Sequence, residues 1–330
     1  MGTTLLICIL IAILLVAGAA YQSIGTSADA RRFPPPGQLV DAGGFRLHLH
    51  EAGAGDGPVV VLEAGIAASS LSWSLVHPEV ASFARVVRYD RAGLGWSDAA
   101  PGPRTAEKSA RELAALLANA GITGPFVLVG HSFGGYVARL FAAKFPERVA
   151  GLVLVDSPST SDWIPLRAEE KRRLQGGAFF SRIGAVLASL GLVRFCLARL
   201  SSGSARLSVL VTRSFGRSAL TVVGRLVGEV QKLPVDVWPQ VQAHWCQPKS
   251  FRSMASHLSH LPDSAAHVEA AGPFGNIPLL VLTASKPSLE RLAAQQKSGG
   301  TLPARKACRG GEKRPLDSPR RPGTRRGGDS

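Results

Sequence analysis

The sequence predicts an α/β protein with a mostly parallel sheet and helices on both of its faces. The first observation is a series of short apolar runs, typical of strands that are covered on both sides; they span residues 59–62, 86–89, 126–129 and 152–155. The second is that helix-like segments alternate with these runs. The third is the turn GHSFGG at residues 130–135, which joins one run directly to a helical pattern.

The composition is that of a globular protein with a charged tail. The 330 residues are 45% hydrophobic, which is enough for a buried core, and the net charge is +15. Residues 286–330 hold 12 basic and 4 acidic side chains, so +8 of the excess lies there. Residues 291–330 are therefore predicted to be a disordered, solvated tail. No nucleic acid is expected as a partner, because the tail lacks interleaved aromatic residues.

The N-terminal segment is predicted to be a single-pass membrane anchor over residues 1–28. It contains no charged side chain, and residues 3–20 are close to the length of about 20 that crosses a bilayer. The alternative is a signal peptide cleaved near Ala17-Gly18-Ala19, followed by secretion. Arg31 and Arg32 are the first charges after residue 29, and the positive-inside tendency places the following domain in the cytoplasm.

The first half of the predicted core follows a proline-rich linker at residues 29–37. Residues 45–50 alternate apolar and polar side chains, which is typical of an edge strand. A helix is predicted over residues 106–120, with Thr105 as its N-cap and Gly121 at its end. With the strands at 126–129 and 152–155, these elements place the core at residues 38–157.

The second half of the chain has a different hydrophobic pattern. Residues 158–274 contain amphipathic or apolar stretches at 178–200 and 207–230, which predict helices. Residues 275–290 return to a strand pattern at 279–282. From Gln296 onward Gly, Pro, Ser, Arg and Lys dominate, so a last strand and helix are missing from the pattern. We expect that a frameshift, an alternative exon or a truncation replaced the original C-terminus.

Ser132 is the candidate nucleophile, because a serine on a sharp turn from strand to helix presents its hydroxyl above the sheet edge. The backbone of such a turn is strained and crowded, which favours glycine at Gly130 and Gly134. The unpaired N–H groups of the following helix can stabilise an oxyanion. The alternative is an ordinary loop serine beside a glycine turn.

These motifs together resemble the α/β-hydrolase family. The resemblance rests on GHSFGG at 130–135, on YDRAGLGWS at 89–97 and on PERV at 146–149 leading into the run at 152–155, and it covers roughly residues 40–160, resuming near Pro278. It implies the α/β-hydrolase fold, with residues 158–274 as a helical cap inserted between the sixth and seventh strands. A cap of this kind closes over the nucleophile and shapes an apolar pocket.

The resemblance also implies an oxyanion hole made of backbone N–H groups. In the family a His-Gly pair is common after an early strand, and the matching place here reads Glu63-Ala64-Gly65-Ile66. The carried-over donors are the N–H groups of Ile66 and Phe133. Glu63 is interpreted as a strand-end carboxylate with a local partner.

The remaining catalytic residues follow the order serine, acid, histidine in this fold. Asp156 comes directly after the strand at 152–155 and is the preferred acid, with Glu290 as the alternative. No catalytic histidine is found, since all eight histidines lie at or before position 267, whereas the family's histidine follows the last strand. His260 and His267 are the least unfavourable substitutes.

Two functions remain open from the sequence. The first is a membrane-anchored serine hydrolase that cleaves a small apolar ester, or an amide or lactone, through an acyl-enzyme on Ser132. A serine at the elbow disfavours epoxide hydrolase and dehalogenase chemistry, for which the resemblance requires an aspartate. The second is a catalytically impaired binding or scaffold module. The four cysteines indicate neither disulfides nor a metal site, and no cofactor is expected; they are Cys8, Cys196, Cys246 and Cys308.

Overall fold

A computed structural model describes residues 2–201, 230, 232–273 and 275–283. Seven described strands form one sheet in the order β1-β2-β4-β3-β5-β6-β7. The β1–β2 and β2–β4 pairs are antiparallel and the other neighbours are parallel. The predicted, mostly parallel sheet is therefore confirmed. The strands are β1 Gln38–Asp41, β2 Arg46–Ala52, β3 Val59–Glu63, β4 Val86–Tyr89, β5 Phe126–His131, β6 Val149–Val155 and β7 Leu279–Leu282.

Helices surround this sheet and continue between β6 and β7. The described α-helices are α1 Gly2–Arg32, α2 Val76–Ala81, α3 Ala106–Asn119, α4 Phe133–Lys144, α5 Ala168–Ser189, α6 Leu192–Ser201, α7 Trp238–Trp245, α8 Pro248–Ser259 and α9 Leu261–Ala270. Short 3₁₀ helices lie at Ser70–Trp73, Pro146–Arg148, Thr160–Asp162 and Val235–Val237.

The helix α3 matches its predicted limits to within one residue. The Thr105 hydroxyl accepts a hydrogen bond from the Lys108 N–H at 3.2 Å, so it is the N-cap. Gly121 has a φ of +70° just past the end, a conformation that favours glycine. The buried face of α3 packs into the main core through Leu113 and Leu116, as the helical periodicity predicts.

The strand predicted at 45–50 is not an edge strand, and this prediction was wrong. β2 lies between β4 and the shorter β1, with Val40 opposite Leu47. The alternating pattern arose because β2 buries a polar side chain. His48 is fully buried, and its Nδ1 lies 2.8 Å from the Asp90 carboxylate. A buried hydrogen-bonded pair therefore produced the same pattern as a solvent-facing residue.

The helical segment after β6 is broken where the sequence predicts one stretch at 178–200. α5 ends at Ser189 and α6 begins at Leu192, with the axes bent by 88°. Gly191 permits the break, since its φ is +71°. The stretch at 207–230 lies outside the described residues except for Val230, and so does the tail at 291–330.

The N-terminal helix α1 is longer than the predicted anchor. It continues to Arg32, so the linker begins four residues later than the predicted 29. Its most apolar window has a mean hydropathy of 2.7 and none of it is buried. By length and composition α1 can cross a membrane, as can a signal sequence.

Candidate functional site

Ser132 occupies the tight turn between β5 and α4. Its φ is 51° and its ψ is −120°, a conformation that costs free energy for any residue with a side chain. Two hydrogen bonds hold the turn. The Ser132 N–H donates to the Val155 carbonyl at 2.9 Å, and the Gly135 N–H donates to the Ser132 carbonyl at 2.9 Å. The strained backbone predicted from the sequence is present. Because Ser132 directly precedes α4, its hydroxyl lies at the start of that helix.

The glycines around Ser132 allow three chain segments to approach each other. A Cβ at Gly130 would lie 2.5 Å from the Gly134 carbonyl oxygen. A Cβ at Gly134 would lie 2.5 Å from the Glu63 carbonyl oxygen. Because those neighbours are backbone atoms, neither position has room for a larger residue. The first turn of α4 therefore packs directly against the end of β3.

The two expected oxyanion donors belong to the residue after Ser132 and to the loop that follows β3. Phe133 is the first residue of α4, where no intrahelical acceptor exists for its N–H. Ile66 belongs to the loop after β3, and the position of a Cβ on neighbouring Gly65 is 3.6 Å from the Ser132 Cβ. Within the described ranges, neither the Ile66 nor the Phe133 N–H donates a hydrogen bond. Among the described residues, both N–H groups are therefore left without an acceptor.

A buried ionic cluster holds the loop that carries Ile66. Glu63 is 2% exposed and accepts hydrogen bonds from the Tyr89 hydroxyl and from Arg91 Nη1. The same guanidinium donates from Nη1 to the Ala64 carbonyl at 2.6 Å and from Nη2 to the Gly65 carbonyl. Arg91 therefore ties β3 and the following loop together at three oxygens.

The electrostatics of this cluster depend on burial. Burial raises the pKa of the Glu63 carboxyl, whereas Arg91 and the Tyr89 hydroxyl oppose that rise. Burial, reinforced by Glu63, also raises the pKa of Tyr89 well above its usual value, so Tyr89 remains a proton donor. The sequence predicts a local partner for Glu63 but does not indicate that this partner is Arg91. The available signal was a carboxylate at the end of a fully apolar strand, which requires a cation.

Asp156 lies at the same edge of the sheet as Ser132. β5 and β6 are paired in register with His131 opposite Val155, so Ser132 and Asp156 are the next residues of adjacent strands. Adjacent strands are about 4.8 Å apart. The Asp156 N–H donates to the Leu282 carbonyl at 2.8 Å, and its φ is 48°. The alternative acid, Glu290, lies outside the described residues.

The proposed histidine substitutes have other polar neighbours. His260 Nδ1 lies 2.8 Å from the Ser256 carbonyl, and His267 Nδ1 lies 3.8 Å from the Glu107 carboxylate. In the part of the chain that the structure describes, no histidine forms a hydrogen bond with the Ser132 hydroxyl. Neither His260 nor His267 is therefore hydrogen-bonded to the Ser132 hydroxyl in the described part of the chain.

A different histidine contacts the elbow. The ring of His257 on α8 packs edge-on against Phe133, with centroids 5.1 Å apart. Its Nδ1 donates to the Ser253 carbonyl at 2.7 Å, and Nε2 has no hydrogen-bond partner among the described residues. Burial, aided by the Arg91 charge, holds the pKa of His257 well below 6.5. A histidine with so low a pKa is a weak proton acceptor.

Acid should destabilise the fold through its buried histidines. His244 is buried on α7, its ring packs against Trp96 at 4.4 Å, and burial lowers its pKa to about 4. In the unfolded chain the pKa is about 6.5. The unfolded state therefore binds more protons below pH 6.5, and stability falls as the pH drops toward 4. The contribution of His244 is at most about 3 kcal/mol.

We expect the free energy of unfolding, measured with urea, to be lower at pH 4.5 than at pH 7. His244→Phe keeps an aromatic ring against Trp96 and cannot titrate, so its loss over that interval should be smaller. An equal loss in the two proteins would contradict the assignment to His244.

No group of His, Cys, Asp and Glu that could hold a metal ion is found in the described ranges. Cys8, Cys196 and Cys246 are free thiols there, and Cys308 lies outside.

Comparisons with known proteins match the central part of the chain. A family model for the alpha/beta hydrolase fold matches residues 58–179. The uncharacterised protein YqjL of Bacillus subtilis is 33% identical over 119 residues, 36% of this chain and 47% of that protein. A 2-hydroxy-6-oxo-2,4-heptadienoate hydrolase of Pseudomonas putida is 35% identical over 127 residues, 38% of this chain and 46% of the hydrolase. The chain spans about half the length of these curated relatives.

A solved structure extends the likeness in fold. The epoxide hydrolase CorEH superposes with a TM-score of 0.57 over 82% of this chain and 89% of that one, at 19% identity. The shared architecture therefore includes elements outside the region that the family model matches.

Proposed function

Residues 58–179 match the model of the alpha/beta hydrolase fold, and we propose that the chain is a membrane-anchored serine hydrolase of that family. Its substrate is a small apolar carboxylic ester, with amides and lactones as chemical relatives, cleaved through an acyl-enzyme on Ser132. The single observation that carries the proposal is the strained backbone of Ser132, with φ at 51°, at the start of α4. Strain of this kind persists where the surrounding structure holds a functional side chain in position.

The residue type at the elbow selects the reaction. CorEH, which shares the fold, is an epoxide hydrolase. In the α/β-hydrolase family, epoxide hydrolase chemistry requires an aspartate as the nucleophile. This chain has Ser132 there. A serine oxygen forms an ester with an acyl group, so acyl transfer is the chemistry that fits it.

The proposed reaction begins with attack of Ser132 Oγ on the ester carbonyl carbon. The carbonyl oxygen becomes an oxyanion, which accepts hydrogen bonds from the N–H groups of Ile66 and Phe133. Collapse breaks the bond to the alkoxide oxygen, which takes up a proton and leaves as the alcohol, and the acyl group stays on Ser132. Water then attacks the acyl carbon and releases the carboxylic acid. Asp156 is the proposed acid at the site.

Proton transfer limits this reaction. The Ser132 hydroxyl must lose its proton as it attacks, and a histidine usually accepts it. Since no histidine in the described part of the chain is bonded to that hydroxyl, the proton passes to solvent or buffer. We therefore expect slow turnover that depends on the oxyanion donors.

The helices between β6 and β7 are proposed as the cap at 158–274. α8 packs above the elbow through His257 and Phe133, which excludes water from one side of the site. α1 is proposed as an anchor that holds the domain at a membrane, on the cytoplasmic side.

The test is hydrolysis of a short-chain aryl ester by the wild type and by Ser132→Ala. We expect the wild type to be faster, because only Ser132 forms the acyl-enzyme. Ser82→Ala is the matched control, since Ser82 is exposed and its hydroxyl donates to the Glu79 carbonyl, away from the site. It should keep the wild-type rate. Equal rates for the wild type and Ser132→Ala would overturn the proposal.

A second candidate function is a binding or scaffold module without turnover. It is favoured by the absence of a histidine bonded to Ser132 among the described residues. In that case the wild type and Ser132→Ala should bind an ester analogue equally and release no alcohol.

A further inference from the structure

The helix α1 has two halves with different surroundings. The side chains of Leu5, Leu14 and Val16 are exposed, and the apolar window of α1 has no buried residue. Contact with the folded body begins at Gly18, where a Cβ would lie 2.5 Å from the Leu190 carbonyl oxygen. From this point the helix packs against the α5–α6 turn. The first half thus projects away from the body and the second half is attached to it.

Polar contacts fix the attached half of α1. The Gln22 side chain is buried and donates a hydrogen bond to the Cys246 carbonyl at 2.9 Å. Arg194 on α6 forms an ion pair with Asp29 at 2.6 Å and donates to Gln22 Oε1 at 3.1 Å. Because these partners lie on α6 and just after α7, the direction of α1 relative to the body is set by specific contacts.

The attachment fixes which part of the body meets a membrane that α1 crosses. A hydrocarbon core takes about 20 helical residues, so the apolar half of α1 leaves it near residue 21. Gly191, in the α5–α6 turn, lies against Gly18 and Tyr21, close to the point where α1 leaves the hydrocarbon core. The α5–α6 turn therefore lies at the boundary between hydrocarbon and headgroups.

Exposed apolar side chains surround this turn. Val186 is 60% exposed, Leu192 is 47% exposed and Phe195 is 44% exposed. We call these three residues the α5–α6 corner. Single exposed apolar residues are common on protein surfaces, whereas a group of them marks a site of contact with a membrane or a partner.

Cations lie beside the corner. A shallow cavity of about 310 Å³ is lined by Arg182 and Arg252 together with Val186 and Leu190. The Arg199 guanidinium lies over the Phe195 ring, 5.2 Å from its centroid, as a cation–π pair. Apolar side chains with arginines at their margin are complementary to a phospholipid surface. The apolar side chains can contact acyl chains, and the arginines can bind phosphate groups.

We propose that the α5–α6 corner is seated in the headgroup region of the bilayer that α1 crosses, with Arg182 and Arg252 facing lipid phosphates. This rests on the proposed function only in that α1 is an anchor; it does not depend on Ser132 chemistry. The occupant is the phospholipid bilayer, so the corner is not the contact surface of a second copy of the chain.

The experiment uses the full chain reconstituted in phosphatidylcholine and phosphatidylserine vesicles. Cys8, Cys196, Cys246 and Cys308 are replaced by alanine, and an environment-sensitive fluorophore is attached in turn to Val186→Cys, Leu192→Cys and the control Phe83→Cys. Phe83 is 75% exposed and follows α2, outside the helices that hold α1. We expect nitroxide lipids to quench the fluorophores at 186 and 192 and to leave that at 83 unchanged.

Two further measurements keep the outcomes distinct. Wild-type protein should be labelled by a photoreactive phospholipid in peptides that contain the α5–α6 corner, which avoids dependence on the cysteine variants. Alkaline carbonate should not extract the chain. Extraction would overturn the anchor and with it this proposal. Retention with equal quenching at 186, 192 and 83, or chain-to-chain cross-links at the corner, would overturn this proposal alone. Ester hydrolysis by Ser132 is assayed separately in detergent.

Discussion

Arg91→Ala should lower the free energy of unfolding by about 3–5 kcal/mol, because it leaves the Glu63 carboxylate buried without its cation. The ion pair is almost fully buried, with side-chain exposures of 3% for Arg91 and 2% for Glu63. The change also removes the donors to the Ala64 and Gly65 carbonyls, so the loop that presents Ile66 loses its support. Both effects are measurable, by urea unfolding and by the rate of ester hydrolysis.

The matched control is Arg85→Ala. Arg85 also pairs with a glutamate of the sheet, Glu51, but both side chains are about one third exposed. Exposed pairs contribute about 0–1 kcal/mol, so the cost should be far smaller. Similar losses in the two variants would contradict the role assigned to the buried cluster.

A double replacement separates stability from positioning. Glu63→Gln with Arg91→Met removes both charges, while the amide oxygen introduced at position 63 can still accept a hydrogen bond from Tyr89. We expect it to recover much of the stability lost in Arg91→Ala, because no uncompensated charge remains buried. The ester hydrolysis rate should stay low, because the Ala64 and Gly65 carbonyls still lack their donors.

Added imidazole should accelerate ester hydrolysis by the wild type and not by Ser132→Ala beyond the solution reaction. A positioned general base contributes about 10²–10⁴-fold in enzymes, and imidazole from solution should recover only a part of that factor. We expect this because, among the described residues, no histidine forms a hydrogen bond with the Ser132 hydroxyl.

The imidazole measurement compares initial rates over a series of imidazole concentrations at fixed pH. Ser132→Ala gives the direct reaction of imidazole with the ester, which is subtracted. A wild-type rate that is high without imidazole and unchanged by it would show that the chain already supplies its own base. A wild-type response equal to that of Ser132→Ala would exclude Ser132 as the assisted nucleophile.

Most of the sheet could be predicted from the sequence. β3, β5 and β6 contain continuous apolar runs, which are typical of strands in a sheet that helices cover on both faces. The elbow was also predictable, because Gly130 and Gly134 are required by backbone approaches that only glycine permits. In both cases the local sequence carries the physical constraint.

The remaining features depend on contacts between distant parts of the chain. β1 has only four residues and gives almost no periodic signal. His48 fits the alternating pattern of a solvent-facing residue, but its ring is bonded to Asp90, 42 positions away in the sequence. Arg91 and His257 reach the site by packing against Glu63 and Phe133. No spacing rule relates such residues, so their roles could not be read from the sequence.

Covalent labelling by a fluorophosphonate probe tests directly whether Ser132 is a nucleophile. Folded wild-type protein is incubated with the probe, digested and analysed by mass spectrometry, with Ser132→Ala treated in parallel. We expect one adduct on the peptide that contains Ser132, formed faster with imidazole present, and no adduct in Ser132→Ala. An unlabelled wild type, or equal labelling of the two proteins at another residue, would contradict this expectation.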